Sequence, residues 1–190
     1  MELKQTIDRR HAYRALKPVT IDKPDTEYLA WAAHLAPSCF NNQPWRYIFI
    51  NSQDKLQELR PALSKGNEWA YDGSLIIAVY SDKDLDCIVA EREYYLFDTG
   101  ISVGFLLLAA TDLGYVAHPI AGFSEKKAKK ILKIPNDKRL VTLIILGKHA
   151  KDKVEQLSDK DKEKELTRPQ RKKFTDFISW NEYEEKGDQS

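Results

Sequence analysis

The sequence of 190 residues lacks the features of several common classes of protein. Its two cysteines, Cys39 and Cys87, are too few for a disulfide-stabilised scaffold and too far apart for a zinc knuckle. A reducing compartment is the simpler expectation, so we predict a cytoplasmic protein. The longest apolar run, residues 105–110, is far shorter than the ~20 residues that cross a bilayer, and the N-terminus has no apolar core like that of a signal peptide. We predict no membrane association.

Several motifs of known chemistry are also missing. There is no Gly-x-Gly-x-x-Gly, no Walker A pattern and no Gly-x-Ser-x-Gly. The four histidines have no spacing typical of metal ligands, so we predict no metal site. Thirty basic residues against 29 acidic ones leave a net charge of +1, which argues against a nucleic-acid partner. A local basic pocket for one phosphate is compatible with that balance.

The pattern of apolar residues predicts one α+β domain with helices around a small sheet. Helices are predicted at residues 3–9, 25–35, 85–113 and 124–132, with another that opens at Ser52 and ends near Pro61. Strands are predicted at residues 45–50, 75–80, 115–119 and 140–146. Because the helix at 85–113 is apolar nearly all round after residue 101, we expect it to be central and buried.

The composition changes after residue 150. Lysines alternate with acidic residues over 151–165, which predicts a solvated linker or an exposed helix. An apolar stripe at helical spacing follows within residues 174–183, and it must be buried against its own subunit or a partner subunit. We therefore divide the chain into a core at 1–150, a charged linker at 151–166 and a C-terminal arm of the same domain at 167–190.

Two clusters of polar residues lie at predicted loops. Arg9, Arg10, His11 and Arg14 follow the first helix, and they are either a solvated basic turn or an anion site, since guanidinium groups match phosphate oxygens. The loop at 36–45, Ala-Pro-Ser-Cys-Phe-Asn-Asn-Gln-Pro-Trp, offers amide groups that suit a flat heterocycle. An ordinary helix-to-strand connection could have the same composition, so both alternatives stay open.

Four motifs in a fixed order resemble the nitroreductase family of FMN-dependent oxidoreductases. They are Arg10-His11-Ala12-Tyr13-Arg14, the loop at 36–45 with every fixed position of Ala-Pro-Ser-x-x-Asn-x-Gln-Pro-Trp, Pro119-Ile120-Ala121-Gly122-Phe123, and Leu146-Gly147. Arg168 and Arg171 are candidates for a basic pair near the C-terminus. The resemblance covers residues 1–183. It implies a nitroreductase-like fold with a small central mixed sheet and a C-terminal arm exchanged across a homodimer, with FMN at the subunit interface.

The resemblance also implies a function and a set of cofactor-binding residues. FMN would pass hydride from NAD(P)H through flavin N5 to an electron-poor small molecule such as a nitroaromatic or a quinone, in a ping-pong cycle without a catalytic side chain. The phosphate is assigned to Arg10 and Arg171 with His11 beside it, and the pyrimidine edge to Arg14. The ribityl chain or ring is assigned to Ser38, Asn41 and Gln43, and the ring near N5 to the backbone of Ala121 and Gly122. Ala12, Cys39, Asn67 and Arg168 complete the predicted site.

The chain departs from the family pattern at two positions. Ala12 stands where the family commonly has Ser, which removes a hydroxyl contact to the cofactor. Pro169 stands where the family often has its first basic residue, so Arg168 is the candidate replacement. Cys39 is expected to be neither a nucleophile nor a metal ligand. The alternatives are a relative with another flavin reaction, such as dehalogenation or flavin cleavage, and a non-catalytic flavin-binding protein.

Overall fold

The structure, a computed structural model, describes residues 2–185, which form an α+β fold. The helices are α1 (Leu3–Arg9), α2 (Lys23–His34), α3 (Gln53–Leu59), α4 (Tyr95–Asp112), α5 (Glu125–Leu132) and α6 (Asp159–Leu166). The strands are β1 (Leu16–Lys17), β2 (Arg46–Ile50), β3 (Leu75–Ser81), β4 (Ile88–Val89), β5 (Arg92–Glu93), β6 (Val116–Ile120) and β7 (Arg139–His149). The predicted helices at 3–9, 25–35 and 124–132, the one opening at Ser52, and all four predicted strands are confirmed with small shifts at their ends.

The central sheet is built around β7. Strand β7 pairs with β1, β3 and β6, and β3 pairs in turn with β2. Every pairing between the described strands is antiparallel, including the separate hairpin of β4 and β5. The prediction of a mixed sheet is therefore wrong for the described residues. Strand β2 runs antiparallel to β3, and both β3 and β6 run antiparallel to β7.

Strands β3 and β7 are apolar on both faces because helices cover both sides of the sheet. In β3, Ile76 and Ala78 join a core cluster with residues of α3 and α5, whereas Leu75, Ile77 and Val79 join one with residues of α2 and α4. This alternation follows from the two-residue repeat of side chains along a strand. A strand that is covered twice accordingly has a continuous apolar sequence rather than an alternating one.

Side chains and one glycine mark where the helices begin and end. Asp22 accepts a hydrogen bond from the backbone N–H of Asp25 and so caps α2. Ser52 and Ser124 cap α3 and α5 in the same way. Gly114 follows α4 with φ at +76°, a left-handed conformation that favours glycine, as expected for the residue after a helix.

The long helix predicted at 85–113 is shorter, and it is not buried on every side. Helix α4 begins only at Tyr95, because the preceding residues form a 3₁₀ turn at Lys83–Leu85 and the hairpin of β4 and β5. Its residues Phe97 and Phe105 are 64% and 41% exposed, so one face of the helix is not covered by the described residues. Among the described residues, α4 has the length and apolar composition of a membrane-spanning helix, with 39% of it buried. Its packing against α2, β3 and β6 accounts for that composition.

The charged segment at 151–165 folds onto the core, and the arm extends beyond it. Helix α6 forms within this segment and is mostly exposed, but Glu165 is buried. In the arm, the helix implied by the apolar stripe is wrong within the described residues, where only a single 3₁₀ turn, Phe174–Asp176, forms. The arm's aromatic side chains are exposed: Phe174, Phe177, Trp180 and Tyr183.

Candidate functional site

Basic residues that follow α1 and α6 lie around one cavity of about 200 Å³. It is lined by Arg10, His11, Ala12, Arg14, His118, Lys164, Arg168, Pro169 and Arg171. Arg168 joins the two segments, because its Nη2 donates to the backbone carbonyl of Asp8 at 2.5 Å and to that of Arg10 at 2.6 Å. The structure thus brings together six predicted site residues and places Arg168 at the C-terminal end of α1, where helix carbonyls favour a cation.

The lining of this cavity has the chemistry of an anion site. Burial lowers the pKa of the Arg10 guanidinium below its usual value, and the positive charges of Arg168 and Arg171 lower it further. A cation whose neighbours repel it in this way is stabilised when an anion enters between them. Guanidinium groups match phosphate oxygens in geometry as well as in charge. The residues present therefore fit a phosphate group.

Arg14 lies between this cavity and a second cavity of about 300 Å³, which Gly66 and Trp69 also line. Its Nε is 3.4 Å from Oδ1 of Asp161 in α6, and its guanidinium carbon is 5.8 Å from the centre of the Trp69 ring. The ion pair and the cation–π contact together orient the side chain. The Asp161 carboxylate also offsets part of the Arg14 charge.

Glu165 supports the backbone that leads out of the basic motif. It is 5% exposed, and its carboxylate accepts hydrogen bonds from the backbone N–H groups of Arg14 and Ala15, each at 2.9 Å. His149 Nε2 lies 3.2 Å from Glu165 Oε1, without hydrogen-bond alignment. Burial lowers the pKa of His149, although the nearby carboxylate opposes this. Glu165 was not predicted as a site residue, because nothing in a run of alternating charges marks which carboxylate is buried.

Histidine and tyrosine rings stack beside the basic motif at residues 10–14. Tyr13 stacks between His11 and His149, with ring centres 4.1 and 3.8 Å away. His11 Nε2 also donates to the backbone carbonyl of Lys164 at 3.0 Å. These contacts hold His11 in place at the edge of the basic cavity. The bond from His11 to Lys164 is a second link between the motif at residues 10–14 and α6, in addition to the hydrogen bonds of Glu165.

His118 is a second site residue that was not predicted from the sequence, because it lies just outside the motif at residues 119–123. It lines the basic cavity and is 7% exposed. Its Nδ1–H donates to the Tyr13 carbonyl at 3.1 Å, so Nδ1 carries the proton of the neutral ring. Burial lowers the pKa of His118 to about 4, and the nearby cations Arg14 and Arg10 act in the same direction. The side chain is therefore neutral at pH 7.

We predict that His118 makes the protein less stable in mild acid. An unfolded histidine binds a proton below about pH 6.5, whereas folded His118 does so only near pH 4. Between these values the unfolded state binds more protons, so stability falls as the pH decreases. The loss from pH 7 to pH 5 should be about 2 kcal/mol. Urea unfolding at both pH values measures it, and His118→Gln should remove that part of the loss. An unchanged pH dependence in the variant would contradict the prediction.

Asn67 and Gly122, both predicted cofactor contacts, touch each other. Asn67 Nδ2 donates to the Gly122 carbonyl at 2.8 Å, and Asn67 Oδ1 accepts from Trp69 Nε1 at 3.2 Å. A Cβ at Gly122 would come within 2.3 Å of Asn67 Nδ2, so a side chain there would displace the amide. Ala121, next to Gly122, is exposed. The Ala121–Gly122 backbone is thus supported from one side and open on another.

The loop at 38–44, which follows α2, has an unusual backbone. Phe40, Asn41 and Gln43 all have positive φ, between 47° and 59°, a conformation uncommon in residues other than glycine. The Ser38 hydroxyl accepts from the backbone N–H of Gln43 at 2.9 Å and closes the loop. Cys39 N–H donates to Oδ2 of the buried Asp98 at 2.6 Å, which fastens the loop to the first turn of α4.

Cys39 and Cys87 form a disulfide bond, with their Cα atoms 6.2 Å apart. The expectation of two reduced cysteines is therefore corrected. The reason lies in the residues before α4, which were predicted as helix. They turn into the hairpin instead and place Cys87 beside the loop, which separation along the sequence does not reveal.

The predicted site residues fall into three groups. The first surrounds the basic cavity, the second is the contact of Asn67 with Gly122, and the third is the loop at 38–44. In the described part of the chain, neither the cavity of about 200 Å³ nor that of about 300 Å³ is lined by a residue of this loop. One chain thus presents an anion site and a polar loop as separate surfaces.

The sequence profile of the Nitroreductase family matches residues 7–81 and 62–148. The chain belongs to the nitroreductase family.

Similarity to individual proteins is low in sequence and high in structure. The chain is 23% identical over 200 residues to an oxygen-insensitive NADPH nitroreductase of Helicobacter acinonychis, covering 86% of this chain and 95% of the relative. A solved oxidoreductase containing FMN superposes with a TM-score of 0.83 at 26% identity, covering 95% of this chain and 92% of that one. A protein of Exiguobacterium sibiricum in complex with FMN superposes with a TM-score of 0.78 at 22% identity, covering 95% and 97%. The last of these likenesses shows the fold alone.

Proposed function

We propose that this protein is an FMN-dependent oxidoreductase that uses NAD(P)H to reduce an electron-poor small molecule such as a nitroaromatic or a quinone. The observation that carries the proposal is the cavity where Arg10, Arg168 and Arg171 converge, and where burial and the other two arginines lower the pKa of Arg10. That site has the donors and the positive potential that a flavin phosphate needs. The family membership and the solved relative that contains FMN support the same cofactor.

The chain's residues would bind and orient FMN, which when bound supplies the site that accepts and donates hydride. Arg10 and Arg171 would hold the phosphate, and Arg168 would position the backbone around Arg10. Ala12 lines the same cavity without a hydroxyl, so the arginines carry the binding there. Arg14 would lie at the pyrimidine edge, where its positive charge favours negative charge on a reduced flavin ring. The ion pair with Asp161 would weaken this effect.

The remaining predicted contacts would act through backbone and amide groups. The backbone of Ala121 and Gly122 would face the flavin ring. The hydrogen bond from Asn67 to the Gly122 carbonyl would hold that backbone in place. Asn67 already uses both ends of its amide within the chain, so we propose it as a support with one N–H left for the pyrimidine. Ser38, Asn41 and Gln43 would contact the ribityl chain or the ring through the loop at 38–44, with Cys39 holding that loop.

We further propose a homodimer, because one chain leaves large apolar surfaces uncovered. A groove of about 580 Å³ between α1, α2 and α4 is lined by apolar side chains that include Leu3, Trp31 and Phe105, and Leu3 is 67% exposed. The aromatic side chains of the arm are exposed as well. Surfaces of this kind mark contacts with other proteins. A partner would cover them, and its loop at 38–44 could complete the anion site of the first chain.

The dimer predicts a mass of about twice 21.9 kDa by light scattering at micromolar concentration. Phe105→Asp places a charge in the groove and should shift the mass toward that of one chain. Val89→Asp, a matched change on the exposed hairpin, should leave the mass unchanged. A wild-type mass near 21.9 kDa would mean that the arm and the groove are covered within one subunit or not at all.

The absorption spectrum of the purified protein tests the cofactor, and anaerobic titration with NADH and NADPH tests the reductant. We expect flavin absorbance, bleaching by at least one nucleotide, and steady-state turnover with a nitroaromatic or a quinone. Colourless protein that does not bind FMN at micromolar concentration would contradict the proposal. Flavin binding without turnover of either nucleotide would indicate the non-catalytic alternative.

We also propose a cytoplasmic location and the division of the chain into a core, a charged linker and a C-terminal arm.

A further inference from the structure

The Cys39–Cys87 disulfide joins two elements that are 48 residues apart in sequence. Cys39 belongs to the loop at 38–44, and Cys87 lies just before the β4–β5 hairpin. Both cysteines are half-buried, so a small dithiol can reach the bond. If the protein has the cytoplasmic location that we propose, such a bond is expected to be transient, catalytic or redox-sensing rather than structural. The position of this one therefore matters more than its contribution to stability.

The loop needs external ties to keep its conformation. Three of its residues, Phe40, Asn41 and Gln43, have positive φ, and none of them is glycine. Such backbone conformations persist only when the surrounding structure imposes them. A free loop of this composition would relax toward ordinary φ values. The contacts that hold it are therefore also the contacts that control its shape.

The disulfide is one of several ties that hold the loop. At the end of the loop, Ser81 Oγ donates to the Pro44 carbonyl at 2.9 Å and Arg46 Nη1 donates to the Gln43 carbonyl at 2.8 Å. Nearer the disulfide, the ties are hydrogen bonds to Asp86 and to Asp98 of α4. Asn42 Nδ2 donates to Asp86 Oδ1 at 3.3 Å, a long and exposed hydrogen bond. Asp98 Oδ2 accepts from Cys39 N–H. Since the hydrogen bonds to Asp86 and Asp98 compete with water once the loop moves, the covalent bond is the tie that water cannot replace.

We propose that Cys39–Cys87 is a redox-controlled clamp on the loop at 38–44 and that opening it weakens FMN binding. This rests on the proposed function, in which the loop contacts FMN. In the opening step a dithiol gives two electrons and two protons to the bond. The Cys39 and Cys87 sulfurs become thiols, and the two sulfurs of the reductant become a disulfide. Oxidised glutathione reverses the step by accepting the two electrons.

The test compares FMN affinity in the two redox states of the full-length protein. FMN fluorescence gives the Kd for air-purified protein and for protein reduced with dithiothreitol and desalted without oxygen. If the reduced loop holds its binding conformation a tenth of the time, Kd rises about tenfold. Cys87→Ser opens the bond but leaves the loop sequence intact. It should bind FMN as weakly as the reduced wild type, with or without dithiothreitol, and oxidised glutathione should restore only the wild type.

Three results would overturn the clamp. The first is a Kd that agrees within about twofold between oxidised and reduced wild type. The second is wild-type affinity in Cys87→Ser, and the third is two free thiols in the air-purified protein after denaturation. Failure of the oxidised wild type to bind FMN would instead defeat the proposed function itself, and the first titration separates that outcome from the others.

Discussion

Arg10→Ala is expected to weaken FMN binding by roughly 10- to 150-fold, because it removes a charge-assisted hydrogen bond worth roughly 1.5–3 kcal/mol. Arg10 lines the basic cavity, and its pKa is lowered by burial and by the two other arginines beside it. Riboflavin, which has no phosphate, should bind the variant almost as it binds the wild type. Fluorescence titration with both flavins measures the difference.

The comparison with riboflavin makes the Arg10 result specific. Arg92→Ala, which removes an exposed arginine at the hairpin, should leave both affinities unchanged. If Arg10→Ala weakened riboflavin as much as FMN, the arginine would be supporting the fold rather than binding the phosphate. Arg14→Ala offers a contrast at the same motif. It should lower the flavin midpoint potential, by on the order of 30 mV for a loss near 1.4 kcal/mol, with a smaller effect on FMN affinity.

The parts of the site that sequence alone predicted are those encoded by local motifs. Arg10 and Arg14 follow α1, and the loop at 36–45 follows α2, where Pro37 lies just past the end of the helix. The strands were equally predictable, since a short continuous apolar run such as residues 75–80 is typical of a strand in a sheet that is covered on both faces. Arg168 was predicted as a replacement at a shifted position, and its bonds to Asp8 and Arg10 place it at the cavity.

The parts that were not predictable depend on contacts between distant segments. The hairpin before α4 has a helical pattern of residues, yet Ala90 and Glu91 turn with positive φ and bring Cys87 to Cys39. Burial of His118 and Glu165 follows from what packs on them, which no local pattern encodes. The exposed face of α4 is a further case, because an apolar sequence predicts burial without saying in which subunit.

Glu165→Ala is expected to lower the free energy of unfolding by about 3 kcal/mol, the largest effect that we predict for a single side chain. The carboxylate is the acceptor for two backbone N–H groups, those of Arg14 and Ala15, and it is buried. Removal of the carboxylate leaves the backbone N–H groups of Arg14 and Ala15 without this acceptor. For a chain of this length the midpoint of thermal unfolding should fall by roughly 6–12 °C.

Glu163→Ala is the matched control for Glu165→Ala, because it removes an exposed carboxylate from the same helix two residues away. It should change stability by no more than about 0.5 kcal/mol. Glu165→Gln keeps one acceptor oxygen and should fall between the two. FMN affinity should follow the same order, since loss of Glu165 loosens the backbone that carries Arg10 and Arg14. Equal stability of Glu165→Ala and Glu163→Ala would show that the hydrogen bonds to Glu165 do not stabilise the fold, and Arg14 would then owe its position to Asp161 and Trp69.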